Sequence, residues 1–469
     1  MLYDKLKSYS ESSVYPFHMP GHKRNFSDNL LPYSIDLTEI EGFDNLHNPQ
    51  GCIKEVETLA KQIYEADDAF LLINGTTGGI LSAIRAMTNF GDTIAVARNC
   101  HKSVYNAIEL CGLKPVYILP KKDESFGICS AITNEQIKNT LQKHPDISLF
   151  ILTSPTYEGV VSDIKNISDT LHKNNIPLLV DEAHGAHFPF SDNFPDEAIK
   201  CGADVAVISL HKTLPSLTQT ALLITSTDKY SDRIKENLSI FETSSPSYVL
   251  MSSIEKCLLF CKDNKESFKK YIDTLNDFSQ FSKNLNNLRI LCYGSDLKSE
   301  HDFFDFDISK ICISTKSTNI TGTQLADTLR NNYNIETEMS YSDYVLLMTS
   351  VCDLSEGFER LKTALTEIDR SIYKNTNNRN TSVSSIPEQK FIPFERFKKK
   401  AVMSDFEKSE NKISLEYVWA YPPGIPVIVP GEVITDKFIQ NIKMLINNGV
   451  EIHSTTDKMP DKISVVEQI

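Results

Sequence analysis

Lys212 lies where two apolar stretches of the chain meet, in VISLHKTLPSLTQTALLI from 207 to 224. A lysine amine at such a seam either reaches solvent along its own aliphatic stem or performs chemistry. Three other polar features also follow apolar runs: Asp181 after IPLLV, His101 shortly after DTIAVA, and the glycine-rich turn NGTTGG after AFLLI. An amine, an acid, an imidazole and an anion-binding turn can form a cofactor site, provided that the fold brings them together.

The elements between these residues predict such a fold. From residue 51 onward, stretches with helical spacing, such as Ile53, Val56, Ala60 and Ile63, alternate with short apolar runs. Runs rich in Val, Ile and Leu between helices are typical of a mainly parallel sheet that is covered on both faces. We therefore predict an α/β fold in which the carboxyl ends of the strands share one edge, where open α/β sheets bind ligands.

Four polar motifs fall where those strands should end. They are NGTTGG at 74–79, RNCHKS at 98–103, DEAHG at 181–185 and SLHK at 209–212. We expect them to converge at the ligand-binding edge of the sheet.

The NGTTGG motif precedes a predicted helix, so its backbone N–H groups, beginning at Gly75, and the hydroxyls of Thr76 and Thr77 could hold a phosphate. A glycine-rich turn before a helix is more often only a turn. No GK[ST] follows it, and GxGxxG is absent, so the motif is neither a P-loop nor a dinucleotide fingerprint. It favours a phosphate-bearing cofactor other than a simple nucleotide.

Each of the other groups also has a structural alternative. Asp181 could cap a helix, His101 could be a structural histidine, and Lys212 could extend to solvent. Together, however, they match pyridoxal phosphate, which needs a lysine for a Schiff base, an acid for its ring nitrogen, a phosphate cup and a flat group against its ring.

The chain resembles the bacterial ornithine/lysine/arginine decarboxylases, pyridoxal-phosphate enzymes of fold type I, the aspartate-aminotransferase fold, in their short form without an N-terminal wing domain. The order and spacing of several blocks carry the resemblance: FHMPGHKRN, DLTEIEGFDNLHNPQGCI, LLINGTTGG, RNCHKSVYNA, SPTYEGVVSDI, VDEAHGAHF, SLHKTLPSLTQTALL and YPPGIPVIVPGE. One departure is Ile80 after Gly79, where many relatives have Asn, which makes the start of the neighbouring helix less predictable.

The resemblance implies a role for each site residue. Lys212 would bind the cofactor, Asp181 would pair with the pyridine nitrogen, His101 would stack on the ring, and His184 would lie near its O3′ side. The phosphate would be held by Gly75, Thr76, Thr77, Ser209 and His211. The implied activity is decarboxylation of arginine, lysine or ornithine. The resemblance to the short-form enzymes slightly favours arginine or lysine over ornithine as the substrate.

Discrimination among these substrates requires a carboxylate for the cationic tail. Candidates lie in the acidic N-terminal segment and around the YPPGIP block; we select Glu41, Asp44 and Glu416, although each could belong to a solvated acidic loop. The segment FETSSPSY at 241–248 is a candidate to reach across a homodimer or a higher homo-oligomer.

The chain divides into five predicted parts: an N-terminal segment (1–50) that completes the active site, a large cofactor-binding domain (51–286), a small α+β domain (287–374), a polar linker or exposed excursion (375–390) and a C-terminal lobe (391–469).

Composition excludes several classes of protein. The 48 Lys and Arg against 62 Asp and Glu give a net charge of −14, which argues against nucleic acid as a partner. We find no apolar stretch long enough for a membrane span and no signal peptide in the first residues, and therefore expect a cytoplasmic protein. The ten cysteines show no zinc-like spacing, so we expect reduced thiols and no metal.

Two alternatives remain open. One is another fold-type I enzyme, such as an aminotransferase, an aldolase or a carbon–sulfur lyase. The other is a non-catalytic homologue that regulates a true decarboxylase. The joint presence of Lys212, Asp181 and His101 argues against the second alternative, because a binding scaffold does not need all three.

Overall fold

The computed structural model describes residues 13–17, 43–123, 125–291, 301, 303–375, 385–421, 424–447 and 449–467. The strands are β1 (Tyr15–Phe17), β2 (Asp68–Leu72), β3 (Thr93–Ala97), β4 (Lys114–Ile118), β5 (Ile147–Thr153), β6 (Val160–Val161), β7 (Leu178–Asp181), β8 (Val205–Ser209), β9 (Ala221–Thr225), β10 (Arg289–Leu291), β11 (Asp305–Phe306), β12 (Lys310–Ser314), β13 (Ile335–Thr337), β14 (Met339–Ser340), β15 (Tyr344–Met348), β16 (Ala401–Asp405), β17 (Val418–Tyr421), β18 (Ile425–Ile428), β19 (Glu451–Ser454) and β20 (Lys462–Val466).

The α-helices are α1 (Cys52–Ile63), α2 (Gly75–Met87), α3 (Lys102–Leu110), α4 (Asn134–Lys143), α5 (Ile164–His172), α6 (Leu210–Thr213), α7 (Ser231–Phe241), α8 (Tyr248–Asp263), α9 (Lys265–Ser282), α10 (Gly322–Tyr333), α11 (Ser355–Ser371) and α12 (Asp436–Asn447). No helix in the described part of the chain is both long enough and apolar enough to span a membrane.

The predicted large domain contains a seven-stranded sheet, as far as the described residues define it, with the order β2-β9-β8-β7-β5-β3-β4. Strand β9 runs antiparallel to both of its neighbours, and the pairs from β8 to β4 are parallel. Every residue of β8 and β9 is buried, so helices cover both faces of the sheet. The prediction of a mainly parallel, doubly covered sheet is confirmed.

Helix α2 packs so closely on the sheet that one glycine has no room for a side chain. A Cβ atom on Gly79 would lie 2.5 Å from Leu72 Cδ1 and 2.7 Å from Val207 Cγ1. The next residue, Ile80, is 1% exposed and belongs to the core. Ile80 therefore continues a regular helix, and its departure from the family pattern leaves the start of α2 intact.

The predicted small domain contains an antiparallel sheet with the order β10-β12-β15-β14, together with α10 and α11. Strand β1, from the N-terminal segment, pairs in parallel with β13, and Tyr15 lies opposite Ile335. The small domain thereby holds a strand from the other end of the chain.

The C-terminal lobe has a hydrophobic core of its own, which includes Phe406, Val418, Ile428, Phe438, Ile442 and Ile463. It contacts the large domain through two ion pairs, Arg98–Glu432 and Arg396–Glu109, each 2.9 Å long. Both side chains of the first pair are almost fully buried. Because Arg98 begins the loop that leads to His101, the lobe is attached next to the predicted site.

Candidate active site

Lys212 lies on the single-turn helix α6, directly after β8, and its Nζ is 3.0 Å from His184 Nε2. Burial lowers the pKa of Lys212, while the charges of Asp181 and Glu338 oppose the shift and that of Lys310 adds to it. A lowered pKa increases the neutral fraction of the amine, which is the form that reacts with a carbonyl. The fold therefore gives Lys212 the environment of a nucleophile.

His184 follows β7 in the DEAH motif and is fully enclosed. Burial, followed by the charge of Lys212, lowers its pKa well below the usual value. The ring is therefore neutral and can accept a hydrogen bond from the lysine amine. Its Nδ1 is buried and has no hydrogen-bond partner among the described residues.

Asp181 is the last residue of β7 and is 3% exposed. Its Oδ1 accepts a hydrogen bond of 3.2 Å from the backbone N–H of Ala183. Burial raises the pKa of Asp181, while the charge of Lys212 and the bond from Ala183 lower it. A cation placed against this carboxylate would offset part of its desolvation.

His101 is the N-cap of α3. Its Nδ1 accepts a bond of 3.2 Å from the N–H of Ser103 and lies 2.9 Å from the Ser103 hydroxyl. Burial, with the charges of Lys212 and Lys102, lowers the pKa of His101 to about 3. His101 can therefore have a structural role and a functional role together. One ring nitrogen caps the helix, and the neutral, flat ring stays near Lys212.

The predicted phosphate cup lies at the start of α2. Ser209 Oγ is 3.4 Å from Thr76 Oγ1, so the end of β8 meets the first turn of the helix. Gly75 has a positive φ of 66°, and a Cβ atom there would meet no other atom within 4 Å, so there is open space beside the turn.

Two residues of the predicted phosphate cup, Gly75 and His211, each use one hydrogen-bonding group in a contact with the protein backbone. The N–H of Gly75 donates to the carbonyl of Gln219 at 2.8 Å, so this particular N–H does not point to a phosphate. His211 Nδ1 lies 3.0 Å from the carbonyl of Thr220, and burial lowers the pKa of His211 to about 4. The hydroxyls of Thr76, Thr77 and Ser209 and the first-turn N–H groups that follow Gly75 are the donors that fit a phosphate.

These residues fit pyridoxal phosphate. The set combines a buried amine of lowered pKa, a buried carboxylate, a flat neutral ring and a hydroxyl-lined helix N-terminus at one edge of the sheet. The buried Nδ1 of His184 adds an unpartnered polar atom beside the lysine. Among the described residues there is no group of three or more His, Cys, Asp or Glu side chains that could hold a metal ion.

Sequence reasoning missed two neighbours of this site, Tyr157 and Glu338. The ring centroid of Tyr157 lies 4.6 Å from that of His184, and the Tyr157 hydroxyl donates a short hydrogen bond to the Glu338 carboxylate. Tyr157 belongs to the SPTYEGVV block, which marked it as part of a motif without giving it a role. Glu338 comes from the small domain and lies in no motif.

A buried ionic network was missed as well. Lys310 Nζ is 2.7 Å from Asp307 Oδ2, and Asp307 Oδ1 is 3.0 Å from His187 Nε2, with all three side chains buried. Burial acts to raise the pKa of Asp307, but the charges of His187 and Lys310 hold this pKa below its usual value. The network joins the small domain to the segment after the DEAH motif.

The structure describes two of the three predicted substrate carboxylates, Asp44 and Glu416, and both make structural contacts. Glu41 lies outside the described residues. Asp44 instead organises the start of α1, where its carboxylate accepts hydrogen bonds from the backbone N–H groups of Asn45, Gln50, Gly51, Ile53 and Lys54. Burial acts to raise the pKa of Asp44, but these backbone donors hold this pKa below its usual value.

Glu416 is 1% exposed and stabilises the C-terminal lobe. Its Oε2 accepts bonds from the N–H and the hydroxyl of Thr456, and its Oε1 accepts a bond of 2.6 Å from the N–H of Ser464. The contacts of Asp44 and Glu416 thus give both carboxylates structural roles and do not support the predicted role in binding a substrate.

Residues 241–248 pack against their own chain. Glu242 Oε2 accepts a hydrogen bond of 3.1 Å from the N–H of Ile73, directly before the NGTTGG turn. The Tyr248 hydroxyl donates to the carbonyl of Asp44. The predicted reach of this segment across a dimer stays a prediction.

Comparisons with known proteins agree with the resemblance in the sequence. Residues 1–355 match the family model described as Orn/Lys/Arg decarboxylase, major domain, and residues 377–451 match its C-terminal domain. The chain is 34% identical to an arginine decarboxylase of Bacillus subtilis, over 100% of this chain and 98% of the relative. It is 32% identical to an arginine decarboxylase of Bacillus anthracis, over 100% of this chain and 97% of the relative.

Among solved structures, the lysine decarboxylase LdcF of Francisella novicida matches with a TM-score of 0.79 and 20% identity, over 99% of this chain and 80% of that one. This likeness concerns the fold alone and confirms the predicted fold type I. The two matched domain models together span most of the sequence, in the order that the quoted blocks follow. The chain belongs to the Orn/Lys/Arg decarboxylase family.

Proposed function

We propose that this protein is a pyridoxal-phosphate-dependent decarboxylase that converts a basic L-amino acid, with arginine as the first candidate, into the corresponding amine and CO2. The observation that carries the proposal is the buried cluster of Lys212, His184, Asp181 and His101 at the edge of the sheet. Membership of the family supports the reaction, and the two full-length Bacillus relatives named arginine decarboxylase support the substrate.

Pyridoxal phosphate, when bound, supplies an electron sink for the pair of electrons left by CO2. Lys212 would hold it covalently, and Asp181 would face its ring nitrogen. His101 would lie against the ring, and the start of α2 with Ser209 would hold the phosphate. These roles are the ones that the resemblance to the family implies, and the burial and contacts of the side chains support them.

The residues of the chain then have separate tasks. Burial lowers the pKa of Lys212, and His184 orients its amine through the 3.0 Å contact. For the proton that replaces CO2 on Cα, Lys212 is a better donor than His101. With a pKa of about 3, His101 is almost never an imidazolium at neutral pH.

The wider setting of the proposal rests on the resemblance to the family. The active unit would be a homodimer or a higher homo-oligomer in the cytoplasm, and its amine product would enter polyamine synthesis. Sedimentation of fully active enzyme as a monomer would rule out the dimeric unit.

The test is to incubate the purified protein and the cofactor separately with arginine, lysine and ornithine, and to measure CO2 and the amine formed. Arginine is expected to give both products in equal amounts. If all three amino acids give neither product, the proposal is wrong.

Covalent attachment can be tested separately. Borohydride reduction of the cofactor-loaded protein, followed by peptide mapping, should place the pyridoxyl group on Lys212. Lys212→Ala should remain folded by circular dichroism and carry no label. A label on another lysine in the wild type would end the assignment of Lys212.

A further inference from the structure

Asp307, Lys310 and His187 form a buried cluster where the predicted small domain meets the predicted large domain; we call it the Asp307 cluster. The Asp307 carboxylate accepts a hydrogen bond of 2.7 Å from Lys310 Nζ and lies 3.0 Å from His187 Nε2. The first two side chains are fully buried, and that of His187 is 2% exposed. A buried ion pair often stabilises a protein no more than apolar residues of similar volume, so the contacts of the cluster indicate its role better than its strength does.

The cluster holds the turn that carries Tyr157. The backbone N–H of Asp307 donates to the carbonyl of Gly159 at 2.8 Å, and β6, which begins at the next residue, pairs with β11. Gly159 has a positive φ of 105°, and a Cβ atom there would lie 2.9 Å from Lys310 Cγ and 3.2 Å from the carbonyl oxygen of Asp307. The turn therefore lies directly against the cluster, and a side chain at position 159 would push the two apart.

The cluster also holds the segment that carries His184. His187 follows His184 by three residues, and its contact with Asp307 ties this segment to the small domain. The ring of Tyr157 packs against that of His184 at 4.6 Å, and His184 Nε2 lies 3.0 Å from Lys212 Nζ. The two segments whose rings meet beside the lysine amine are thus both attached to Asp307, one through its backbone and the other through its carboxylate.

The charge of Lys310 also reaches the lysine site. Burial is the main cause of the lowered pKa of Lys212 and of His184, and the charge of Lys310 lowers both values further. A displacement of the cluster would therefore change the charge around the reacting amine as well as the position of His184.

We propose that Asp307 is a positioning residue that keeps His184 against the amine of Lys212, by fixing the two segments whose rings meet there. This inference rests on the proposed function, because it concerns the turnover of the loaded enzyme. A displacement of about 1 Å at a reacting group can lower a rate about 100-fold, even when its cause lies away from the chemistry.

The first test moves the Tyr157 turn without changing a charge. Gly159→Ala places a methyl group against Lys310 and Asp307, whereas Gly91→Ala makes the same change at a positive φ of 85°, where a Cβ atom would meet nothing within 4 Å. Folded and loaded Gly159→Ala should lose about 10- to 100-fold in kcat, with less than about threefold change in KM for the amino acid that the wild type decarboxylates. Gly91→Ala should keep the wild-type values.

The second test removes the ion pair. Asp307→Asn combined with Lys310→Met takes away both charges at similar volume, so neither is left buried without its partner. Asp169→Asn combined with Lys165→Met removes a surface pair of 2.8 Å and is the control. The Asp307 double variant should show the same fall in kcat as Gly159→Ala, and the control should show none.

A measurement that does not depend on turnover separates positioning from stability. Pyridoxal phosphate has no chiral centre, so its visible circular dichroism in the protein arises from the groups around it. Gly159→Ala and the Asp307 double variant should bind the cofactor but give a visible band that differs from that of the wild type and of both controls. A cluster with only a structural role would make these variants unfold at lower urea concentration and would leave the band and kcat of the folded, loaded proteins unchanged.

The possible failures can be told apart. If the wild type decarboxylates no basic amino acid, the proposed function fails, and the visible circular dichroism alone decides the inference. If the wild type is active and the two variants keep its kcat and its visible band, the inference is wrong while the proposed function stands. Should neither variant fold, His187→Gln, which keeps a donor for Asp307, should retain kcat and His187→Leu should lose it; equal kcat in these two proteins also overturns the inference.

Discussion

Burial has opposite consequences for the groups that meet at Lys212. It lowers the pKa of the lysine and of His101 and His184, which favours their neutral forms, and it raises the pKa of Asp181. A protonated ring nitrogen facing Asp181 would restore its charged form. By the same interaction, Asp181 would keep that nitrogen protonated.

Asp181→Asn should therefore fold and bind the cofactor but lose most of its turnover. We expect kcat to fall about 100-fold or more, because a preorganised charge opposite the reacting system is removed with little change in shape. Steady-state decarboxylation at saturating substrate, with cofactor content measured by absorbance, checks this. Asp192→Asn, the same change on an exposed residue, is the control. Full activity in loaded Asp181→Asn would remove Asp181 from this role.

The start of α2 depends on the segment that follows α7. Glu242 accepts the bond from Ile73, and the carbonyl of Phe241 accepts a bond of 2.9 Å from Asn74 Nδ2. Burial raises the pKa of Glu242 from 4.5 to about 7, against the backbone bonds from Ile73 and Asn74. The carboxyl group is thus protonated more easily in the folded protein than in the unfolded chain.

This difference sets the sign of a pH dependence. Between about pH 4.5 and 7 the folded state binds more protons at Glu242 than the unfolded state, so the contribution of this residue to stability falls as the pH rises through that range. Urea unfolding of Glu242→Gln should lack this decrease, whereas the wild type should show it. Identical pH profiles of the two proteins would contradict the raised pKa.

The sequence predicts the elements well where local pattern and topology agree. Apolar runs and helical spacing locate the strands and helices of the large domain, and the right-handed crossover rule places Lys212, Asp181 and His101 at one edge. Gly79 and Ile80 show that a departure from the family pattern does not always change the structure. The close contacts of α2 with Leu72 and Val207 require glycine at position 79. They do not require the asparagine that many relatives have at position 80.

The carboxylates could not be assigned from sequence. In the sequence, an acidic residue in a polar stretch looks the same whether it binds a substrate or the backbone. The structure shows that Asp44 binds the backbone, because its carboxylate accepts hydrogen bonds from five N–H groups at and before the start of α1. Glu338 and Tyr157 are 181 positions apart, so only the docking of the small domain reveals their contact.

At the scale of the whole molecule, the Arg98–Glu432 pair joins the C-terminal lobe to the loop that carries His101. The Arg98 side chain is 7% exposed and that of Glu432 is fully buried. Arg98 also lies over the ring of Tyr117 at 4.7 Å. Loss of one partner would leave the other as an uncompensated charge in a dry interface.

Glu432→Ala should destabilise the protein by about 3 to 5 kcal/mol, the range for breaking a buried pair from one side. Glu467→Ala, which breaks the exposed pair with Lys400 in the same lobe, should cost less than about 1 kcal/mol. Urea unfolding of both variants checks the difference. Equal, small effects would mean that the Arg98–Glu432 pair contributes little to the attachment of the lobe.

The pairing of β1 with β13 has a consequence for synthesis on the ribosome. The Tyr15 hydroxyl donates to Asp353, a residue 338 positions later, and Phe17 is fully buried in the folded protein. At translation rates of about 5 to 20 residues per second, these partners emerge roughly 20 to 70 seconds after β1. During that interval an apolar strand stays unpaired on the nascent chain, so a chaperone that shields the first twenty residues should increase the yield of folded enzyme more than one that acts after release.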